Sequence, residues 1–163
     1  MIGISRSCWL AGAERSLLTL WVGGLWIVGY LVAPTLFASL DDRQLAGQLA
    51  GRLFHFMGYL GLVSGALLLM AVWCRVGRDW AREWRIWVLL AMLLLVALGS
   101  FVLQPMMQEL KLQGIAEGSA QATRFGRLHG VSSLLYLTTS LLGLWLVSVG
   151  IRRGPLTGSA EER

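Results

Sequence analysis

The chain has 163 residues, 56% of them hydrophobic and 14% charged, and its net charge of +5 is carried mostly by arginine. A soluble domain usually holds about 25% charged residues, so the composition excludes an ordinary soluble globule and indicates a single membrane domain. The basic residues sit at the ends of apolar runs and form no aromatic-interleaved stripe elsewhere, which favours lipid headgroups and topology control and argues against a nucleic-acid partner.

In chain order, residues 1–15 form a short basic head with Arg6 and Arg15. The first apolar run predicts a transmembrane helix over about 16–37. It is longer than the apolar core of a signal peptide, and Ala38-Ser39-Leu40 is a poor cleavage site, so the span is expected to be retained. Pro34 lies near its end, where a lost hydrogen bond is easiest to tolerate. Ser39 and Asp42 resemble a capping box, and Leu45, Leu49 and Leu53 recur at helical spacing. They predict a short amphipathic surface helix running into a second span over about 52–74. Gly58, Gly61 and Gly65 give that span a small-residue face, which lets a neighbouring helix approach closely.

Residues 75–85 hold Arg75, Arg78, Arg82 and Arg85, with Trp80, Trp84 and Trp87 spaced to share one face of an interfacial helix. A third span is predicted over about 86–104, with Ser100, Gln104 and Gln108 on one side. A long polar connection with Glu109, Lys111 and Glu117 follows. The fourth span, about 125–151, is the most polar: His129, Ser132, Ser133, Tyr136, Ser140 and Gly143 form one stripe, expected to face the bundle. Residues 152–163, with Arg152 and Arg153, are a tail. Cys8 and Cys74 match no metal or redox motif and are expected to be free thiols. The expected fold is an all-α polytopic membrane four-helix bundle.

Arg6, Arg15, the four arginines of the Trp-rich loop, Arg152, Arg153 and Arg163 outnumber the remaining five Lys and Arg residues. The positive-inside rule then places both termini in the cytoplasm of a bacterial inner membrane. Pro34 and Pro105 are 71 residues apart, and the phrases Gly51-Arg52-Leu53-Phe54-His55 and Gly126-Arg127-Leu128-His129 are 75 apart at their glycines. The four spans therefore read as two parallel helical-hairpin repeats, with both phrases marking the outer start of spans two and four.

The candidate ligand-binding residues are His129, Arg127, Ser132, Ser133, Tyr136, Arg52 and Gln104, an outer polar cluster backed by the stripe of the fourth span. His55 and His129 are the chain's two histidines. Two neutral imidazoles at one depth would make a haem or metal site. A small transporter or channel lined by Ser100, Gln104, Ser133, Tyr136 and Ser140 is a further alternative. No nucleophile, phosphate-loop or dinucleotide motif is present, so the leading expectation is non-enzymatic binding of a lipid, a small ligand or a larger membrane complex, with self-association as another possible form of partnership.

Residues 20–26 (LWVGGLW), 32–37 (VAPTLF), 50–54 (AGRLF) and 124–132 (RFGRLHGVS) resemble the bacterial family called domain of unknown function 4149, itself similar to eukaryotic transmembrane protein 205. The resemblance runs from about 16 to 151. It implies a four-helix integral membrane protein and no established activity. Its last-helix motif falls on Phe125, Gly126, Leu128, His129, Gly130 and Ser132. Tyr136 and Leu137 stand where family members often carry an asparagine, and His55 lies outside the pattern, so the resemblance favours His129.

Overall fold

The computed structural model describes residues 6–114 and 119–150, with backbone alone for residues 6–9, 76–79 and 150. The start of the head, Glu117 and the tail with Arg152 and Arg153 lie outside the described residues, as do the side chains of Arg6, Cys8 and Arg78. Cys74 is free and exposed.

Four helical rods are long and apolar enough to cross a membrane: Leu10–Ser39, Arg43–Arg75, Trp84–Leu112 and Ala120–Val149. Within the first, α1 (Arg6–Ile27) passes through a π-helical turn, Val28–Val32, into α2 (Ala33–Ser39). The second is one unbroken helix, α3 (Arg43–Val76). A 3₁₀ turn, Gly77–Arg82, leads to α4 (Trp84–Leu98), which passes through a second π turn, Gly99–Leu103, into α5 (Gln104–Leu112). The last is α6 (Ala120–Gly150). The chain is a helical bundle of a multi-pass membrane protein.

Helices α1 and α4 each pack on both α3 and α6, so α3 and α6 stand at opposite corners of the bundle. Successive rods alternate in direction, and every packed pair is antiparallel. One end of the bundle carries Pro34 and Pro105 (the proline end), and the other carries Arg15, Arg75 and Arg85 (the arginine end).

Between membrane helices the lipid is as apolar as leucine, so close contact rather than escape from water holds the rods together. The centre of that contact is Trp21, 1% exposed, packed with Leu25, Met57, Leu68, Ile86, Leu89 and Met92. Its indole lies on the glycine face of α3. A Cβ on Gly61 would come within 2.8 Å of Trp21 Nε1, and one on Gly65 within 2.6 Å of Leu93 Cδ2 and 3.1 Å of Trp21 Cη2. Gly58 receives the Ser100 hydroxyl in the same way, and on α6 Gly143 receives Val22 and Met92. The small-residue face thus seats side chains from two neighbouring rods.

Three local expectations are corrected. The cap of α3 is Asp42 alone, whose Oδ1 accepts the N–H groups of Gln44 at 2.8 Å and Leu45 at 3.1 Å. Ser39 instead ends α2, because Leu40 is extended. The Gly-Arg-Leu phrases do not open their helices: α3 starts at Arg43 and α6 at Ala120, the latter led by Ser119, whose Oγ accepts the Ala122 N–H at 3.1 Å. The Trp residues of the arginine loop do not share a face. Glu83 is extended, which rotates α4 relative to the 3₁₀ turn. Trp80 therefore stacks with Trp73 at 5.3 Å and approaches Trp87 at 6.0 Å, while Trp84 turns to Trp145 on α6 at 4.9 Å.

The seating of Trp21 gives a direct expectation. Gly61→Ala should lower stability in detergent micelles by about 1–3 kcal/mol through overpacking. Gly23→Ala, which meets nothing within 4 Å, should leave stability unchanged or raise it by up to about 1 kcal/mol through helix propensity. Denaturant unfolding of the two variants side by side checks the contrast.

Candidate functional site

A proline inside a helix lacks an N–H and drives its ring into the carbonyl four residues back. Both affected rods solve this in the same way. The helix widens for one turn before the proline, so the Ala33 N–H bonds the Val28 carbonyl and the Gln104 N–H bonds the Gly99 carbonyl, five residues back in each case. Pro34 and Pro105 then stand in the first turn of α2 and α5. In an apolar medium the backbone groups disturbed by this widening need partners from elsewhere. Thr35 Oγ1 donates to the Leu31 carbonyl at 2.7 Å.

The other partner comes from α6. The Tyr136 hydroxyl donates to the Leu25 carbonyl at 2.6 Å, and the Gly29 N–H lies beside the Tyr136 hydroxyl oxygen. The phenol is therefore inserted where the ordinary Gly29–Leu25 ladder bond would run, a recognised cause of local helix opening. A side chain on Gly29 has no room, because a Cβ there would come within 2.3 Å of Tyr136 Cε1. Phe54 of α3 meets Tyr136 edge-on at 5.1 Å across the interior. One turn further along α6, Ser140 is fully buried, donates to the Leu137 carbonyl at 2.9 Å and shares a 2.8 Å hydrogen bond with the Tyr30 hydroxyl.

The stripe of the fourth span thus divides. Tyr136, Ser140 and Gly143 face the bundle, whereas His129 and Ser133 are exposed and Ser132 is half-buried. Ser133 Oγ donates to the His129 carbonyl at 2.9 Å, so it serves its own helix rather than the imidazole. The His129 ring lies parallel to Phe125 at 6.1 Å, and Arg127 is exposed. Lys111 of α5 holds this end together: its Nζ reaches the Gly47 carbonyl of α3 at 3.5 Å and lies 5.7 Å from the centre of the Phe125 ring.

Arg52, His55 and Gln104 come together in a different place. Between α3 and the third rod, at the proline end, lies a groove of about 310 Å³. Arg52, His55 and Phe56 form one side of it, and Ser100, Gln104 and Gln108 form the other. His55 also meets Tyr59 edge-on at 4.8 Å. Arg52 and His55 are exposed and Gln104 is half-buried. Phe56 is 77% exposed, so the groove opens sideways onto the surface that lipid would cover. His129, Arg127, Ser132, Ser133 and Tyr136 are not part of it.

The two histidines therefore have separate surroundings, on helices at opposite corners of the bundle. Among the described residues no group of three or more His, Cys, Asp and Glu side chains is placed to hold a metal ion. The residues proposed to line a channel likewise separate: Ser100 and Gln104 face α3, and Tyr136 and Ser140 bond the first rod. Sequence reasoning passed over Gln108 as a site residue, although its spacing from Ser100 and Gln104 marks the shared face. It passed over Tyr30 as well, whose partner lies 110 residues away.

A family model described as domain of unknown function (DUF4149) matches residues 16–116. The match runs from within the first rod through the third, so the Phe125–Ser132 phrase of the fourth lies beyond it. No curated protein and no solved structure matches the chain.

Tyr136→Phe keeps the ring and deletes the inserted hydroxyl. It should destabilise the protein by about 0.5–1.5 kcal/mol, the range for one hydrogen bond inside a membrane bundle. Ser133→Ala removes only a bond to its own helix and should stay within about 0.5 kcal/mol of wild type. Unfolding in micelles, read by tryptophan fluorescence, separates the two.

Proposed function

The chain belongs to the family described as domain of unknown function (DUF4149), and we propose from the geometry that it is a non-enzymatic binding protein of the bacterial inner membrane. The groove at the proline end takes an amphiphile, a lipid or lipid-like molecule with an anionic or polar head. The single observation carrying this reading is the composition of that groove. The lining is mostly apolar, with Phe56 and Pro105 contributing to it, and Arg52, His55, Gln104 and Gln108 stand around it as a limited set of polar groups. Its volume of about 310 Å³ falls at the lower end of the usual range for small-molecule sites, about 300–1,000 Å³.

A guanidinium group and two amides suit a phosphate or carboxylate head, and an acyl chain lying along Phe56 would remain in the lipid phase. His129 and Arg127, exposed on α6, are placed to meet headgroups at the same membrane depth rather than the groove's ligand. The excess of arginine at the other end favours both termini in the cytoplasm and the groove on the outer side.

The same reading treats the two helical hairpins as parallel repeats. The π turns Val28–Val32 and Gly99–Leu103 begin at the same offset from each other as Pro34 and Pro105, 71 residues. That match supports a common ancestral hairpin, because both local distortion and its cause recur in register.

The wild-type protein, purified in mild detergent, should carry a co-purifying lipid detectable by native mass spectrometry. Arg52→Gln combined with Gln104→Ala should reduce its occupancy about tenfold, the effect of losing charge-assisted hydrogen bonds. Retention equal to wild type rejects the groove as the site. For topology, a reporter fused after Arg163 should behave as cytoplasmic and one inserted near Glu117 as periplasmic, and the reverse pattern would place the groove on the inner side.

A further inference from the structure

We infer that the arginine end of the bundle holds a binding site for a phosphate group, either the headgroup of an anionic phospholipid or free phosphate. The site is separate from the groove and does not rest on the function proposed for it. All four rods converge there on a cavity of about 100 Å³. Its rim is charged, with Glu14 and Arg15 from α1, Arg75 from α3 and Arg85 from α4. Its floor is the apolar core, including Leu68, Leu89 and Leu146.

The charges on this rim do not cancel. Glu14 pairs with Arg75 and Arg85 has the longer ion pair with Glu83, while Arg15 has no acidic partner among the described residues. Glu83 approaches Arg85 only to 3.7 Å between Oε1 and Nε, beyond hydrogen-bond distance. The Arg85 Nε–H is buried with no acceptor among the described residues. That is an expensive state for a charged donor, and a small shift of the side chain that opens Nε to a ligand oxygen would relieve it. The guanidinium group is also held in place, 5.7 Å over the Trp84 ring, which is itself wedged against Trp145. Such a held fork loses little freedom on binding.

Geometry selects the ligand. The cavity has room for several waters' worth of ligand and opens to the outside, so it admits a phosphate group whose attached chain would lie beyond the rim. Arg15 and Arg85 from two different helices, with Arg75 beside them and already engaged by Glu14, suit a tetrahedral oxyanion, whose oxygens point in several directions, better than a planar carboxylate. Anionic lipid headgroups are concentrated where positive membrane-flanking residues gather, which makes phospholipid the natural source.

The test uses the full-length protein in mild detergent and measures thermal stabilisation and binding by three probes: phosphatidylglycerol, phosphatidylcholine and inorganic phosphate. Stabilisation by phosphatidylglycerol alone assigns the site to a lipid, and stabilisation by inorganic phosphate as well assigns it to the phosphate group itself. Both results support the inference. No preference for either over phosphatidylcholine overturns it. Arg85→Gln should weaken binding about tenfold, with Arg85→Lys intermediate because it keeps the charge and loses the fork. Glu14→Gln should tighten binding by removing a competing carboxylate, so the inference remains testable if Arg85→Gln fails to fold. Arg52→Gln should leave this binding unchanged, which separates a failure of this site from a failure of the groove. Wild-type affinity in both Arg85→Gln and Glu14→Gln would overturn the assignment.

Discussion

Two prolines inside membrane-spanning helices set the terms for much of this bundle. In water a missing N–H and a displaced carbonyl are solvated cheaply, but in hydrocarbon each must find a partner within the protein. The chain meets that requirement by widening both helices for one turn and, on the first rod, by lending the Tyr136 hydroxyl from α6. That loan fixes the approach of α6 to α1, because the phenol must reach the Leu25 carbonyl while its ring passes over the bare backbone of Gly29. The proline problem is local in sequence, and its solution is tertiary.

The packing around Trp21 works in the opposite direction, from tertiary demand to local residue choice. A buried indole needs a flat surface without Cβ atoms, and Gly61 and Gly65 supply it at a spacing of one helical turn. Gly58 continues the same face into the second π turn, where it admits Ser100. Since Ser100, Gln104 and Gln108 follow one another along the third rod, this close approach also brings the amides opposite Arg52 and His55. The groove is thus a by-product of how closely two helices are allowed to pack.

The four rods were legible in the sequence because long apolar runs with charged flanks have few other structural outcomes, and the glycine face was legible from its spacing. The division of the fourth-span stripe was not. Spacing placed His129 and Tyr136 on one side of α6, but the bundle covers only part of that side, leaving His129 outside while Tyr136 enters. The Trp-rich loop failed for a different reason. A single extended residue, Glu83, resets the helical phase, and periodicity counted through such a break carries no directional information. Groups far apart in the chain were the hardest to foresee: Glu14 with Arg75, Tyr30 with Ser140, and Arg52 with Gln104 are brought together only by the order in which the rods surround the core. The Asp42 cap was within reach, since an Asp before a leucine-periodic segment is itself a start signal, but Ser39 three residues earlier offered a competing one.

The alternation of helix direction around the square has an electrical consequence. Each rod carries a dipole equivalent to about half an elementary charge at either end. With every packed pair antiparallel, these dipoles largely cancel, so the backbone gives the bundle little preference between its two orientations in a transmembrane field. Any such preference must come from fixed side-chain charges, among which Arg75, Arg78, Arg82 and Arg85 form a compact cluster. An electrical bias between the two faces would therefore come from the connecting segments rather than from the helices they join.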